Sequence, residues 1–333
     1  MRSRHANGTQ SVYSSAVLSY ARFAAFFRLH GPFPATDEHL TPFLAFQSQS
    51  CKPSTLKNYV YAIRDHHLAN GMQFAPTRER FQLVSAMQGL KRLYGEPANK
   101  KLAITRRMLW EMSDVRTAYS AAKGLSEAQE SGVWAAISVA FAGMLRKDNV
   151  SVGKSAAFNT REHLCRSDVA FGTDNQGCSL MWINCRHSKT NNFHVRTHLI
   201  AIYAIGGAIC PVAAVQRHFA LVAAGQSNAA FSFPSKGRRG VRGGTTPAPL
   251  QHSVLVRHLK GLLSATGRDP SVFSGHSLRR GGATLAFRMG LPLELIMQHG
   301  DWASMVVLEY RQLSTADRQR LPQEFARILA YRP

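Results

Sequence analysis

Acidic residues are scarce in this 333-residue sequence, and long apolar runs do not occur in it. Asp and Glu number 19 against 41 Lys and Arg, so the formal charge at neutral pH is +22. Such an excess of positive charge favours a polyanion as the partner. No run of eighteen apolar residues is present, and the opening residues MRSRHANGTQS contain no apolar core of a signal peptide. We therefore expect neither a membrane span nor secretion.

Cysteine is also rare, and its spacing does not match a metal-binding or disulfide framework. The five cysteines are odd in number and form neither a CxxC pair nor a tight Cys/His cluster of the zinc-finger type. They are Cys51, Cys165, Cys178, Cys185 and Cys210. This pattern predicts reduced, buried cysteines in an intracellular protein.

The length and the 45% hydrophobic content are sufficient for two domains with sizeable cores. The first hundred residues predict helices separated by turns, and the clearest of them is KPSTLKNYVYAIRDHHLANG, opened by Pro53 and closed by Gly71. Its apolar stripe contains Leu56, Val60 and Ile63.

A second face of the same helix is polar. Lys57, Tyr61 and Arg64 share this side and are candidates to face a phosphate backbone. A solvated basic face explains the same three residues equally well.

The next segments predict a core helix and then a linker. The stretch RERFQLVSAMQGLKRLYG places four apolar residues at core spacing, which are Phe81, Val84, Met87 and Leu90. The stretch GEPANKKLAIT, from Gly95 to Thr105, has the composition of a linker, and Thr105 is suited to cap the helix that follows.

The remainder predicts more helices and a small β-sheet, so the fold class is mainly α with a small sheet (α+β). An alanine-rich helix, ESGVWAAISVAFAGML, ends near Arg146. Two runs typical of strands, CSLMWINCRH and NFHVRTHLIAIY, are joined by SKTNN, which suits a hairpin turn and carries Lys189. A loop rich in Gly and Arg, including Arg238 and Arg239, follows and is a candidate DNA contact. Helices return from LQHSVLVRHLKGLL onward.

The stretch SGHSLRRGGAT sets His276 and Arg279 one helical turn apart, and Trp302 and Tyr310 follow beyond it. A single His-x-x-Arg pair is weak evidence for a function. Six residues in a defined order are much stronger, and they are Arg146, Lys189, His276, Arg279, Trp302 and Tyr310. In this order the chain resembles the tyrosine recombinase (phage integrase) family, over essentially its whole length.

The resemblance implies a helical core-binding domain over residues 1–100 and a catalytic domain over residues 101–333. It also implies strand cleavage and rejoining in double-stranded DNA at specific sites, through a 3′-phosphotyrosyl link and a Holliday junction, with no metal, cofactor or ATP. The expected assembly is a homotetramer on paired sites, and any accessory proteins are unknown. The location would be intracellular with the DNA, in the nucleus if the host is eukaryotic and otherwise in the cytoplasm.

The resemblance assigns a role to each residue. Tyr310 is the nucleophile, and His276 accepts or orients its proton. Arg146 and Arg279 hold the nonbridging phosphate oxygens, because an arginine can present two parallel donors. Lys189 protonates the leaving 5′-oxygen. The sixth residue, Trp302, packs against the tyrosine segment and offers its indole N–H to phosphate.

Several positions depart from the family pattern or leave alternatives open. The first arginine is usually followed three residues later by an acidic residue, but Asn149 stands there and Asp148 precedes it, so either residue is a candidate to orient Arg146. The shorter interval between Trp302 and Tyr310 is similar to that of recombinases from eukaryotic mobile elements. His299 and Arg280 are further candidates for phosphate contact.

Two other functions stay open from sequence alone. One is a DNA-binding relative of the same fold that has lost catalysis. The other is a type IB topoisomerase or a hairpin telomere resolvase, because both use the same tyrosine chemistry.

Overall fold

The chain forms two compact units, Met1–Lys100 and Lys101–Pro333, in a computed structural model. The structure describes residues 7–95, 100–153, 157–186, 198–234, 247–311, 319, 322, 323 and 326. Each unit has a hydrophobic core of its own.

The first unit contains four α-helices and a 3-10 helix within its described residues. They are α1 (Asn7–Phe26), α2 (Asp37–Ser48), α3 (Pro53–Ala69), the 3-10 helix Thr77–Glu79, and α4 (Phe81–Tyr94). Aromatic side chains of α1 and α2 fill the centre, where Tyr20, Phe23 and Phe43 pack edge to face.

The prediction for α3 is confirmed, because Leu56, Val60 and Ile63 are all buried. The prediction for α4 is wrong for Phe81, which is 81% exposed. Met87 and Leu90 pack against the core as predicted, but Leu83 joins them there, and Val84 is only partly buried and outside the core cluster. Phe81 lies two positions before Leu83 and therefore on the other side of the helix.

The second unit is built around a helix that is buried on nearly every side. Its helices are α5 (Arg106–Ala122), α6 (Glu127–Ala142), α7 (Lys147–Val150), α8 (Pro211–Leu221), α9 (His252–Ala265), α10 (His276–Arg288) and α11 (Leu293–His299). The 3-10 helices are Arg166–Asp168, Pro270–Val272 and Met305–Tyr310. The alanine-rich α6 packs against α8, α9 and α10, because its small side chains allow close approach on several faces.

A three-stranded antiparallel sheet lies in the second unit, with the strands in the order β1 (Val169–Thr173), β2 (Ser179–Asn184) and β3 (Leu199–Tyr203). Leu180 pairs with Tyr203, and Ile183 with Ile200. The two predicted strands correspond to β2 and β3, whereas β1 was not predicted. The turn predicted at SKTNN, with Lys189, lies outside the described residues.

Two short strands, β4 (Ser232–Pro234) and β5 (Pro247–Pro249), form a separate antiparallel pair. The predicted Gly/Arg loop between them, with Arg238 and Arg239, lies outside the described residues.

The predicted linker is only partly correct. Thr105 does cap α5, since its hydroxyl accepts the N–H of Met108. The residues just before it, however, belong to the second unit. Ile104 is fully buried and donates its N–H to the Ser277 carbonyl at 3.0 Å, and Leu102 donates to the Val272 carbonyl at 2.8 Å.

The cysteine prediction holds for three of the five residues. Cys165, Cys185 and Cys210 are buried, Cys51 is partly exposed, and Cys178 is exposed. Cys178 lies in the turn between β1 and β2, where its N–H donates to the Asp174 side chain at 2.9 Å. None of the helices in the described ranges is long and apolar enough to cross a membrane.

Candidate active site

The glycine pair of SGHSLRRGGAT allows α10 to lie directly on two backbone segments. A Cβ atom on Gly281 would overlap the Ile104 carbonyl, and one on Gly282 would overlap the Phe141 carbonyl at the end of α6. Only glycine permits this approach without displacement. The first turn of α10, with His276 and Arg279, is thereby fixed against α6.

His276 and Tyr310 meet across 34 residues of sequence, and their atoms Nε2 and Oη are 2.6 Å apart. Tyr310 is the last residue of the 3-10 helix Met305–Tyr310 and is 7% exposed. The Thr284 hydroxyl of α10 donates to the Tyr310 carbonyl at 3.0 Å. The helix that carries the histidine therefore also holds the backbone of the tyrosine.

The environment of His276 favours a neutral imidazole. Burial of part of the ring, followed by the charges of Arg279, Arg146 and Arg280, lowers the pKa of His276. A neutral ring nitrogen can accept a proton, whereas an imidazolium cannot. Nε2 is thus able to accept the hydrogen bond, and then the proton, of the Tyr310 hydroxyl.

Arg279 is almost completely buried, with 1% of its surface exposed. Its Nη1 donates to the Met144 carbonyl at 2.5 Å, and its guanidinium lies 3.7 Å from the centroid of the Trp302 ring. Burial, and then the charge of Arg146, lowers the pKa of Arg279 to about 9, so the side chain is still cationic at neutral pH. Nη2 is buried and has no hydrogen-bond partner among the described residues.

Arg146 lies four residues beyond the end of α6, at the start of α7, and its side chain is 19% exposed. The Asn149 side chain accepts the backbone N–H of Arg146 at 2.9 Å. The acidic group beside the guanidinium is Asp301, whose Oδ2 is 3.6 Å from Nη1. Asp148 instead pairs with Lys147 at 2.8 Å and His252 at 2.7 Å.

Asp301 is thus a site residue that was not predicted from the sequence. The one available signal was its position directly before Trp302 in HGDW. An aspartate 155 residues away from Arg146 gives no local pattern that identifies it as a partner.

Trp302 packs between an arginine and the tyrosine. Its ring is 7% exposed, faces Arg279, and lies 5.7 Å from the Tyr310 ring between centroids. The Arg280 guanidinium also lies near this tyrosine, 5.5 Å from the Tyr310 centroid, and its Nη1 donates to the Lys101 carbonyl at 2.9 Å. The Nε2 of His299 lies 3.0 Å from the Ala142 carbonyl.

The remaining candidates belong to the first unit or lie outside the described residues. Lys57, Tyr61 and Arg64 are exposed along one face of α3, in the first unit, with the Lys57 ammonium 5.7 Å from the Tyr61 centroid. Lys189, Arg238 and Arg239 lie outside the described residues. Within the described ranges, no group of three or more His, Cys, Asp or Glu residues is placed to hold a metal ion.

The cluster therefore combines a phenol hydroxyl, a neutral proton acceptor and two confined guanidiniums. A phenol needs to lose its proton to become a strong nucleophile, and Nε2 of His276 lies within hydrogen-bond distance to accept it. Buried guanidiniums are suited to bind an anion with two or more oxygens. The arrangement can support attack of a tyrosine on a phosphodiester.

No family model matches the sequence, and no curated protein matches it. Solved structures do match. One is a XerH site-specific recombinase bound to palindromic difH substrate, in a post-cleavage complex. Its sequence is 15% identical to this chain and the TM-score is 0.58, and the match covers 95% of this chain and 78% of that one. Another is a lambda integrase tetramer bound to a Holliday junction, with 16% sequence identity and a TM-score of 0.55. That match covers 95% of this chain and 74% of the integrase chain.

The Tn1549 transposon integrase in complex with circular intermediate DNA is 12% identical with a TM-score of 0.54, over 97% of this chain and 95% of that one. At such low identity, the likeness bears on the fold alone. The predicted fold class, mainly helical with a small antiparallel sheet, is confirmed. This chain has the fold of the tyrosine recombinases.

Proposed function

We propose that this protein is a site-specific DNA recombinase that cuts and rejoins strands through a 3′-phosphotyrosyl intermediate. The observation that carries the proposal is the 2.6 Å contact between His276 Nε2 and Tyr310 Oη beside two confined arginines. The fold shared with recombinases supports the same function by analogy.

The first step is attack of the Tyr310 oxygen on the scissile phosphorus. Its proton passes to the neutral Nε2 of His276, and a bond forms between the tyrosine oxygen and the phosphorus. The bond from phosphorus to the 5′-oxygen breaks. One phosphodiester is exchanged for another, so the bond energy is conserved and no ATP is required.

The two arginines stabilise the negative charge that develops on the nonbridging oxygens. Arg279 contributes Nη2, which is buried and has no hydrogen-bond partner among the described residues. Arg146, which is 19% exposed, contributes from the more accessible side. Loss of one preorganised donor of this kind costs about 10²- to 10³-fold in rate. These fixed cations supply charge stabilisation without a metal ion, and Trp302 keeps Arg279 in place through its ring.

The leaving 5′-oxygen needs a proton, and we assign its donation to Lys189. The 5′-hydroxyl of another strand then attacks the phosphotyrosine, and the reverse proton transfers restore Tyr310 and His276. Two rounds of this exchange pass through a Holliday junction.

Recognition of double-stranded DNA is assigned to both units. The net charge of +22 favours phosphate contacts in general. Residues 1–100 form the core-binding domain in this proposal, and the exposed face of α3 with Lys57, Tyr61 and Arg64 is its candidate contact. Residues 101–333 form the catalytic domain, where Arg238, Arg239, Arg280 and His299 are further candidates.

We further propose a homotetramer on paired sites, as in the lambda integrase structure. Exposed apolar side chains of the second unit, including Leu291 and Leu295, support contact between copies. The protein would act inside the cell with its DNA, and a mobile element is the proposed setting. The Tn1549 integrase is a fold neighbour of that kind.

The test is covalent capture of DNA. Nicked suicide duplexes with a randomised central sequence are incubated with the wild type and with Tyr310→Phe, and the products are separated under denaturing conditions. We expect a denaturation-resistant protein–DNA band with the wild type only. Sequencing of the captured DNA would then identify the site.

Other outcomes separate the alternatives. Salt-sensitive binding with no covalent band would contradict the proposal and favour a DNA-binding relative without catalysis. Relaxation of any supercoiled plasmid would indicate a type IB topoisomerase. Products sealed into hairpins would indicate a telomere resolvase.

A further inference from the structure

Two residues with unfavourable backbone conformations hold the two arginines of the site. Among the described residues, the non-glycine residues with left-handed φ are Arg28, Met144 and Asp301. The Met144 carbonyl accepts from Arg279, and the Asp301 carboxylate lies beside Arg146. A left-handed conformation is costly for a residue with a Cβ atom and is retained where the surroundings need it.

The Asp301 carboxylate also has an unfavourable position in two other respects. Its side chain is 5% exposed, so it has lost most of its hydration. It directly follows Gly300, the C-cap of α11, where the free carbonyls of a helix end repel negative charge. A buried carboxylate at this end of a helix requires cations to compensate for it.

The arginines of the site are cations placed to compensate for it. Both terminal nitrogens of Arg146 face Asp301, with Nη1 3.6 Å from the carboxylate and Nη2 3.5 Å from the carbonyl oxygen. The negative charge of Asp301 also raises the pKa of Arg279, against the larger effects of burial and of Arg146. Asp301 thus acts on both guanidiniums.

The described contacts of Asn149 and Asp148 involve groups other than the Arg146 guanidinium. Asn149 is neutral, and its side-chain oxygen accepts the backbone N–H of Arg146. Asp148 pairs with Lys147 and His252. We infer that Asp301 is the positioning residue that fixes the Arg146 guanidinium for the phosphate, an inference that rests on the proposed function.

The negative charge of Asp301 allows a role in positioning Arg146 to be distinguished from a role in binding DNA. A carboxylate beside a phosphate site repels the incoming phosphate, so Asp301 by itself weakens attraction for DNA. Its benefit arises only if it orients Arg146 for the transition state. Removal of the charge should therefore slow cleavage while DNA binding stays equal or becomes tighter, whereas a residue needed only for folding would weaken both.

The test uses Asp301→Asn, which keeps the shape of the side chain and tolerates left-handed backbone. The matched control is Asp114→Asn, which removes the same charge from an exposed position on α5. On the captured suicide duplex, we expect Asp301→Asn to slow single-turnover cleavage about 10²-fold, the effect of a misplaced group. Its affinity for the duplex should be equal to or above that of the wild type, and Asp114→Asn should cleave normally.

A rescue variant distinguishes positioning from general damage. Asn149→Asp introduces a carboxylate next to the backbone of Arg146, and in the Asp301→Asn background it should recover part of the lost rate. Normal cleavage by Asp301→Asn, or parallel losses of cleavage and binding without rescue, would overturn the inference while the recombinase function stands.

A measurement without DNA covers the case in which the wild type forms no adduct and the proposed function fails. In a double-variant cycle with Arg146→Gln and Asp301→Asn, urea unfolding should show that the double variant loses less stability than the sum of the single losses. Additive losses would overturn the ion pair itself.

Discussion

The close approach of α10 to two backbone segments yields a quantitative prediction for Gly281→Ala. The new methyl group would overlap the Ile104 carbonyl and approach the Phe141 ring within 2.7 Å. A carbonyl of a buried backbone segment cannot turn aside as a flexible side chain can. Helix α10 must therefore move away, and His276 and Arg279 in its first turn would move with it.

Two effects of opposite sign determine how much Gly281→Ala changes the free energy of unfolding. Alanine is favoured over glycine in a helix by about 1 kcal/mol. Forcing an extra methyl group into a packed core costs about 1–3 kcal/mol, and we expect the upper end here. The net destabilisation is then about 1–2 kcal/mol, equivalent to a drop in Tm of about 2–8 °C for a unit of this size. Cleavage should slow about 10²-fold if the site residues shift by about 1 Å.

The matched control is Gly89→Ala, in the middle of α4, where an added Cβ would meet no atom within 4 Å. This variant should gain up to about 1 kcal/mol from helix propensity and cleave at the normal rate. Calorimetry and single-turnover cleavage measure both effects. A Gly281→Ala protein with unchanged Tm and full cleavage would refute the packing described for α10.

Four further predictions concern the chemistry and the charges. Arg279→Lys should lower the rate of DNA cleavage about 10²- to 10³-fold, because lysine lacks the planar fork that can bind the Met144 carbonyl and the phosphate together. A loss below about tenfold in single-turnover assays would contradict this assignment. Lys189→Ala should slow cleavage more than binding, and a 5′-thio leaving group, which needs no proton, should restore the rate; failure of that rescue would exclude the general-acid role. The logarithm of DNA affinity should fall with the logarithm of salt concentration with a slope of about −0.9 per phosphate contacted, and an affinity independent of salt would exclude an interface dominated by phosphates. Burial, and then the charge of Arg166, lowers the pKa of His218 to about 4. The unfolded state, where the pKa of histidine is about 6.5, therefore binds this proton more tightly than the folded state. The free energy of unfolding should thus fall as the pH decreases from about 6.5 to about 4, by about 3 kcal/mol in total. The measurement is urea unfolding across this pH range, and His218→Asn should remove this part of the pH dependence.

Local patterns in the sequence were sufficient to predict much of the architecture. The 3.6-residue period and the terminal residues of KPSTLKNYVYAIRDHHLANG predicted α3 and its buried face, and two apolar runs predicted β2 and β3. These predictions depend only on residues that are close to one another along the chain. Phe81 was assigned to the core incorrectly, because a period alone does not say which of two adjacent stripes on a helix faces the other helices.

The sequence by itself determined the strong positive charge, the order of the six candidate residues, and the glycine pair that follows Arg279. Only the tertiary structure decided which groups meet. His276 and Tyr310 are 34 residues apart, and Arg146 and Asp301 are 155 residues apart. A local pattern carries no information on such pairs, because the packing of α10 on α6 and the end of α11 brings them together. For the same reason, the sequence offered Asp148 and Asn149 to orient Arg146, whereas the carboxylate beside its guanidinium belongs to Asp301, 155 residues later in the chain.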